Sequence, residues 1–592
     1  MGRASIAAFI CLLGLAGCVH LPDTAHGENV AAPSDGEITN ATPLAAVIKA
    51  RQVQPLDPAS STPLLDQAMV ELAKTDDKQR YRGVTYNLTK DNVLDAQWLI
   101  QSPNVWGRPA SKIAFMPLEC KGACDADFHL AYCRKNSDCG AGAVCGHLAS
   151  FDALPQLAGK RLCLGQADNL IERFYQPMTA AQHAVDVTLL EPAPDVRFLA
   201  ALRDATTMLA KSGRAVTVRV LIGQYPPGGV DAKSFLAELI RDARKVPGAQ
   251  LTIYAAAMRS CGGGIFCRSF SWNHAKIVAV DGRVAVVGGH NLWTQDYLID
   301  QPIHDISMQV SGGAARDAHR YADELWGYVC SHDDPISAVS MYTYRSGSAD
   351  IAKGCLAQMP LPAAASTAGG GVSILASARL GSGITSHFAN QDDLARDLVF
   401  GAARHSIFVS QQDVAFQQPD QLKPLFPELT LGAWADFILA GRGDVYVVLS
   451  NDGAVGRSKS TYSNGVAIAA VGDKMLEVAA SHSSLPRQDL IDLLCQHFHL
   501  APFRFGPDAS WPGKAPIGNH GKFWMVDDRY FYLGSDNLYP VDLQEFGYIV
   551  DDAAAASQLK RDYWNPLWHW SKAAAISGSD APRCSLRDKV TS

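Results

Sequence analysis

Two stretches of this chain concentrate the residue types that handle protons and anions. In the first, His274 and Lys276 precede Asp281, Gly288, Gly289 and Asn291. In the second, His520 and Lys522 precede Asp527, Gly534, Ser535 and Asn537. Both fit H-x-K-x4-D-x6-G-[GS]-x-N without gap or insertion, 246 residues apart. One H-x-K means little, but six matched positions twice over are a duplication. On a strand, H-x-K points imidazole and ammonium to one face, because side chains alternate with period two. A histidine, a lysine and an asparagine gathered twice make a donor-rich, basic pocket suited to a phosphate anion.

The surrounding residues say how such groups would be held. The runs IVAV and FWMV read as buried strands, and VAVVGG and YFYLGS as their returns. Asp281-Gly282 and Asp527-Asp528 read as the hairpin turns between them. This brings Asn291 and Asn537 back beside the H-x-K where each hairpin began, and leaves Asp281 and Asp527 as structural residues capping the turns. Strands alternate with amphipathic helices from 167 to 345 and again from 372 to 592, with a linker rich in Ala, Gly and Ser at 346–371. The expected fold class is α/β: two pseudo-symmetric α/β/α sandwich halves with mixed sheets, plus a small disulfide-rich insert.

The paired motifs resemble those of the phospholipase D superfamily, over roughly 168 to 572. The resemblance implies that His274 and His520 face each other across a pseudo-two-fold axis. One would attack phosphorus to form a phosphohistidine, while the other protonates the leaving alcohol and then activates water. The two imidazoles would then titrate as a coupled unit, one neutral and one protonated. Lys276, Lys522, Asn291 and Asn537 would hold the non-bridging oxygens, with no metal or other cofactor required. An acidic residue beyond each asparagine would orient a histidine. Asp305, fourteen residues past Asn291, and Glu545, eight past Asn537, are the candidates, with a surface salt bridge as their competing role. His290 and His304 read as outer-layer or surface residues.

The first 18 residues combine Arg3, a short apolar run and Leu15-Ala16-Gly17-Cys18. This is a signal peptide in form, too short to span a membrane, and its end resembles a lipobox with Cys18 as the lipidated residue. An ordinary cleavage near Ala16 or Gly17 is the alternative. The expected location is therefore exported and lipid-anchored at the outer membrane. Residues 19–60 read as a flexible tether and 61–115 as an N-terminal segment with one helix and one strand. Residues 116–166 hold Cys120, Cys124, Cys133, Cys139, Cys145 and Cys163. Behind an export signal these read as three disulfides in preference to zinc, with fifteen possible pairings. Among the rest, Cys261 with Cys267 would pin the loop entering the first motif. Cys330 with Cys355 and Cys495 with Cys584 are the simplest remaining pairs.

A formal net charge of -7 over 592 residues gives no broad basic surface, which disfavours nucleic acid as the main partner. The expected function is a monomeric phosphodiesterase that hydrolyses or exchanges phospholipid headgroups, held to the membrane by its anchor. A periplasmic or surface nuclease and a cardiolipin synthase-like phosphatidyltransferase are the alternatives, and a non-catalytic binding lipoprotein is the reading from another class. Phe270, Trp272, Trp293, Trp511 and Trp524 are candidates to line an apolar approach for acyl chains, against core packing as the plainer role.

Overall fold

A computed structural model describes residues 48–49, 51–113, 131–140, 143–192, 196–224, 231–262, 269–332, 339–364, 369–385, 390–417 and 423–589. Among these residues the chain builds two large mixed sheets and one small hairpin. In the first large sheet Ala184–Leu189, Thr217–Gly223 and Thr252–Gly262 run parallel, as helix-connected strands must when each crossover returns to the same edge. Ile277–Val280, Val284–Gly288 and Asp305–Ser311 extend that sheet antiparallel. The second sheet repeats the plan. Ser406–Gln411, Asp444–Leu449 and Phe498–Pro502 are parallel, and Lys522–Val526, Tyr530–Gly534 and Glu545–Asp551 continue antiparallel. The expected α/β class with two mixed-sheet halves is what the chain adopts.

Both repeated hairpins turn where the sequence places the turn. Asp281 and Gly282 have φ of 54° and 64°, and Asp527 and Asp528 have 54° and 55°. Two successive left-handed residues give the primed turn whose twist matches a tight hairpin. The aspartates do more than cap their own turns. The Asp281 carboxylate accepts the backbone N–H groups of Gln182, His183 and Ala184 at 2.7–2.8 Å, and that of Asp527 accepts from Arg404, His405 and Ser406 at 2.7–3.2 Å. Each hairpin tip is thereby locked to the start of the neighbouring parallel strand.

The N-terminal segment, whose purpose the sequence does not disclose, laces the halves. Tyr86–Asn92 pairs with Val372–Arg379 in the second sheet, and a few residues later Leu99–Ser102 pairs with Asp305–Ser311 in the first. Helix Gly313–Ser331 lies between the sheets, in one apolar core that continues from Ile277, Val287 and Met308 of the first half to Ile374, Val409 and Trp524 of the second. A separate core under the first sheet joins helices Asn169–Thr179 and Val196–Lys211 to Phe151, Leu154 and Leu157 of the Cys-rich insert. The described part of that insert is welded on by Asp204, which accepts from the backbone of Ala153 and Leu154 and from the Tyr175 hydroxyl.

Disulfides join Cys133 to Cys145, Cys139 to Cys163, Cys330 to Cys355 and Cys495 to Cys584. The last two match the pairs expected from the sequence, and four such bonds point to an extracellular or periplasmic location. Cys18, Cys120, Cys124 and the Cys261–Cys267 pairing lie outside what is described. No helix among the described residues is long and apolar enough to cross a membrane. Toward its end the described chain forms a composite helix: Ala553–Leu559, a π turn at Lys560–Trp564, then Asn565–Ser571.

Replacing Asp281 by Ala removes a carboxylate from three backbone donors and leaves a β-carbon at a left-handed φ. Chemical denaturation should register a loss of about 2–4 kcal/mol, from the stranded donors and the turn strain together. A loss under about 0.5 kcal/mol, the level of an ordinary surface change, would mean that the lock does not hold the hairpin.

Candidate active site

The site forms where the two halves meet, and its construction starts one residue before each histidine. Asn273 and Asn519 are fully buried, and their side-chain amides tie the incoming chain to the ends of the parallel strands. Asn273 Nδ2 donates to the carbonyl oxygens of Leu189 and Ala275 at 2.8 and 3.2 Å. Asn519 Nδ2 donates to Ser410 Oγ and the Gln411 carbonyl at 3.1 and 3.0 Å. The histidines are therefore not on the strands themselves, as the H-x-K reading supposed. Ile277–Val280 and Lys522–Val526 begin just after them. Each lysine folds back, its Nζ donating to the carbonyl of its own histidine at 2.6 Å in the first motif and 2.7 Å in the second.

What fixes the imidazoles comes from the opposite half. The backbone N–H of His274 donates to the Gln544 carbonyl at 3.0 Å, and that of His520 to the His304 carbonyl at 2.7 Å. The residues that follow those carbonyls are Glu545 and Asp305. His274 Nδ1 lies 2.9 Å from the Glu545 carboxylate, and His520 Nδ1 lies 2.7 Å from Asp305 Oδ2. Both carboxylates are completely buried, so the surface salt-bridge role falls away. An imidazole whose Nδ1 faces a carboxylate has its tautomer and ring plane set, leaving Nε2 as the working atom. Each half thus supplies the imidazole of one pair and the carboxylate of the other.

The two pairs are not copies. Tyr297 donates its hydroxyl to Asp305 Oδ2 at 2.8 Å, and Tyr462 sets its ring edge-on to His520, centroids 5.0 Å apart. On the other side the Ser535 hydroxyl donates to Glu545 at 2.5 Å. A β-carbon at Gly289, the matching position, would stand 2.1 Å from Asp305 Oδ1, so the shorter carboxylate needs a glycine there. Strand pairing puts Arg379 opposite Glu545 but Ser102 opposite Asp305, so a buried guanidinium attends only the first pair.

None of His274, Lys276, Asn291, Asp305, His520, Lys522, Asn537 or Glu545 is more than 6% exposed. Burial, reinforced by the charges of Lys276 and Lys522, holds both imidazoles well below the usual histidine range. These surroundings disfavour protonation of either ring. Burial also pushes Lys276 down to about 8 and Lys522 down to about 7, against the pull of Glu545 and Asp305. Glu545 is pushed up to about 7 by burial, opposed chiefly by Lys276 and Arg379. Among the described residues, Asn291 Oδ1 and both amide atoms of Asn537 are buried without a hydrogen-bond partner. Ammonium groups at the edge of losing their protons, beside unmatched amides, make a receptor for an oxyanion.

His304 is buried, stacked on Phe503 and Tyr563, and acts through its backbone, so it is not a surface residue. His290 is buried beneath the site, its Nδ1 2.7 Å from Ser307 Oγ. Of the aromatic candidates, Trp524 stacks on Tyr532 and Trp511 packs on Phe505, both in the core, and Trp293 is buried. Trp272 is half-buried, and the Phe270 side chain lies outside what is described. Sequence reading missed Asn273 and Asn519, although both copies read N-H-x-K, and missed Arg379, Tyr297 and Tyr462, which no local spacing marks.

No family model matches the chain. A curated protein named phospholipase D, from Streptomyces antibioticus, is 27% identical over 573 residues, covering 88% of this chain and 90% of that protein. Among solved structures, a phosphatidylserine synthase from Haemophilus influenzae Rd KW20 is 14% identical with a TM-score of 0.43, covering 68% of this chain and 83% of its own. NucT from Helicobacter pylori is 10% identical with a TM-score of 0.19, covering 28% and 84%. Set beside the paired histidine motifs, the similarity to the Streptomyces protein points to the phospholipase D superfamily, and the chain is an enzyme of the phospholipase D-like phosphodiesterase or phosphatidyltransferase type.

Proposed function

We propose that this enzyme cleaves or exchanges the headgroup of phospholipids through a phosphohistidine. The crossed pairing of each motif's histidine with the other half's carboxylate carries this reading, and the phospholipase D relative, matched over nearly the whole chain, supports the lipid as substrate. Nε2 of one histidine attacks phosphorus as the other imidazolium gives its proton to the departing alcohol oxygen. Nucleophile and leaving group thus separate without free alkoxide. The second imidazole, now neutral, takes a proton from water or an acceptor alcohol, whose oxygen displaces the first histidine. Lys276, Lys522, Asn291 and Asn537 hold the non-bridging oxygens as charge shifts onto them.

The diester also explains how a pocket that disfavours protonating either ring can supply an acid. Its negative charge opposes the two lysines, whose own charges lower the imidazoles' affinity for protons, so binding favours protonating one ring. Lipidation at Cys18, an outer-membrane location and a monomeric state complete the proposal, with the anchor keeping the enzyme at its substrate's surface.

The test is the full chain, disulfides intact, with mixed phospholipid vesicles and ethanol, beside His520→Ala, with lipids read by mass spectrometry. Phosphatidic acid and phosphatidylethanol from the wild type, and at least about 10³-fold less from the variant, are expected. Cleavage of single-stranded DNA with no lipid product would replace the proposal by a nuclease. Headgroup exchange between two lipids with no hydrolysis would make the enzyme a phosphatidyltransferase.

The lysines also dictate a pH response. A lysine with a lowered proton affinity is charged below its shifted value and neutral above it. With Lys522 at about 7 and Lys276 at about 8, anion capture should fade as pH rises through that window. kcat/KM should therefore fall on the alkaline side between about 7 and 8, while kcat falls at higher pH, because bound diester keeps the ammonium groups charged. A kcat/KM flat from about pH 7 to 9 would contradict this role of the lysines.

A further inference from the structure

Gln411 ends the parallel strand Ser406–Gln411, opposite Lys522 in the antiparallel register, so the two side chains share a face of the sheet. It is completely buried, and among the described residues neither its amide nitrogen nor its amide oxygen has a hydrogen-bond partner. Its carbonyl receives Asn519, the residue that holds His520 in place. An amide sealed from water with both ends unmatched is costly, and native interiors rarely keep one without a reason.

The sheet order shows what surrounds it. Lys522–Val526 lies between Ser406–Gln411 and Tyr530–Gly534. Lys522 therefore has Gln411 on one side and, just past the end of the other strand, Asn537, whose own amide is equally unmatched. The first half offers the comparison. There Thr188 pairs with Ile277, and the next residue, Leu189, receives Asn273 on its carbonyl as Gln411 receives Asn519. Where the duplicated fold has an apolar residue in one half, it has a buried, unpartnered amide in the other. Packing alone is met by the leucine.

We propose that Gln411 is a substrate-contacting residue, its amide nitrogen donating to the phosphoryl oxygen held by Lys522 and its amide oxygen accepting from the hydroxyl of the entering water or alcohol. The proposal rests on the phosphodiester reading of the site, whichever molecule carries the diester. It makes the His520 side of the pocket the more polar one.

The test exchanges Gln411 for its counterpart, Gln411→Leu, in the full chain, with Gln411→Met as a second apolar variant of similar length. Kinetics are read on bis(p-nitrophenyl) phosphate, which isolates the diester from lipid and nucleic acid alike. kcat/KM should fall about 10- to 100-fold, and competitive inhibition by inorganic phosphate should weaken with it, while the thermal midpoint stays level or rises because an unsatisfied amide has left the interior. Unchanged kinetics would make Gln411 a space filler. Activity and thermal midpoint falling together in both variants would make it structural. Either result overturns the assignment while leaving the phosphodiester reading intact. A wild type inert to this diester, to vesicles and to DNA would instead remove that reading and Gln411's role with it.

Discussion

Everything at the centre of this molecule depends on two hydrogen-bonded pairs made crosswise, Glu545 with His274 and Asp305 with His520. The partners are separated by 271 and 215 residues. A buried carboxylate without a partner is costly, and so is an imidazole oriented by nothing, so each half satisfies groups that the other would leave stranded. The backbone bonds from each histidine to the residue just before the opposite carboxylate tie the main chain at the same points. The continuous core between the sheets and the N-terminal strands added to both keep the halves in this register. Neither half holds a complete site, which explains why the duplicated folds share one core and do not sit as separate beads.

Duplication set up the symmetry, and the chemistry needs it broken. Two identical imidazoles in one dry pocket would compete for the same proton with no preference. Here the surroundings of the two carboxylates differ. Asp305 has a tyrosine hydroxyl and a glycine beside it, whereas Glu545 has a serine hydroxyl and a guanidinium. Arg379 is itself fixed by Asp536 at 2.7 Å, the neighbour of Asn537. One buried ion pair thus ties the loop that carries Asn537 to the charge balance around His274, whose affinity for a proton Arg379 lowers further. Such divergence lets paired titratable groups take different roles within one fold.

How much of this the sequence disclosed follows from the range of each interaction. The hairpins, their turn aspartates and the six-position motifs are local, and spacing alone located them. The parallel strands were legible because buried strands read as apolar runs. The crossing of the carboxylates was not legible, for Asp305 and Glu545 were found as candidates by their place after Asn291 and Asn537, and nothing in that spacing names the histidine each would serve. Strand Val372–Arg379 and helices Gln391–Gly401 and Ile468–Ser481 were not singled out, lying in stretches without a clear period. Leu99–Ser102 is four residues long and becomes a strand only because Asp305–Ser311 needs a neighbour. Trp524 takes the plainer of its two expected roles, core packing: it lies two residues past Lys522 and so on the same face, but the layer of Phe400 and Trp434 covers it.

The depth of the site raises a final question of balance. Two lysines, two histidines, a glutamate and an aspartate share a volume from which water is nearly excluded, and like charges there repel far more strongly than at a surface. If all four bases were protonated, two carboxylates could not offset them. If none were, the carboxylates would stand unopposed. The site falls between these limits: burial disfavours charging the imidazoles, while both lysines and Glu545 are brought toward the neutral range from opposite directions. Such a set stands close to electroneutrality and tolerates one added negative charge by retaining one more proton. On the proposed reaction the entering phosphodiester brings that charge, and the proton it retains is the one the leaving alcohol requires. Burial, which makes the groups expensive to charge, is then also what couples substrate binding to the arming of the acid.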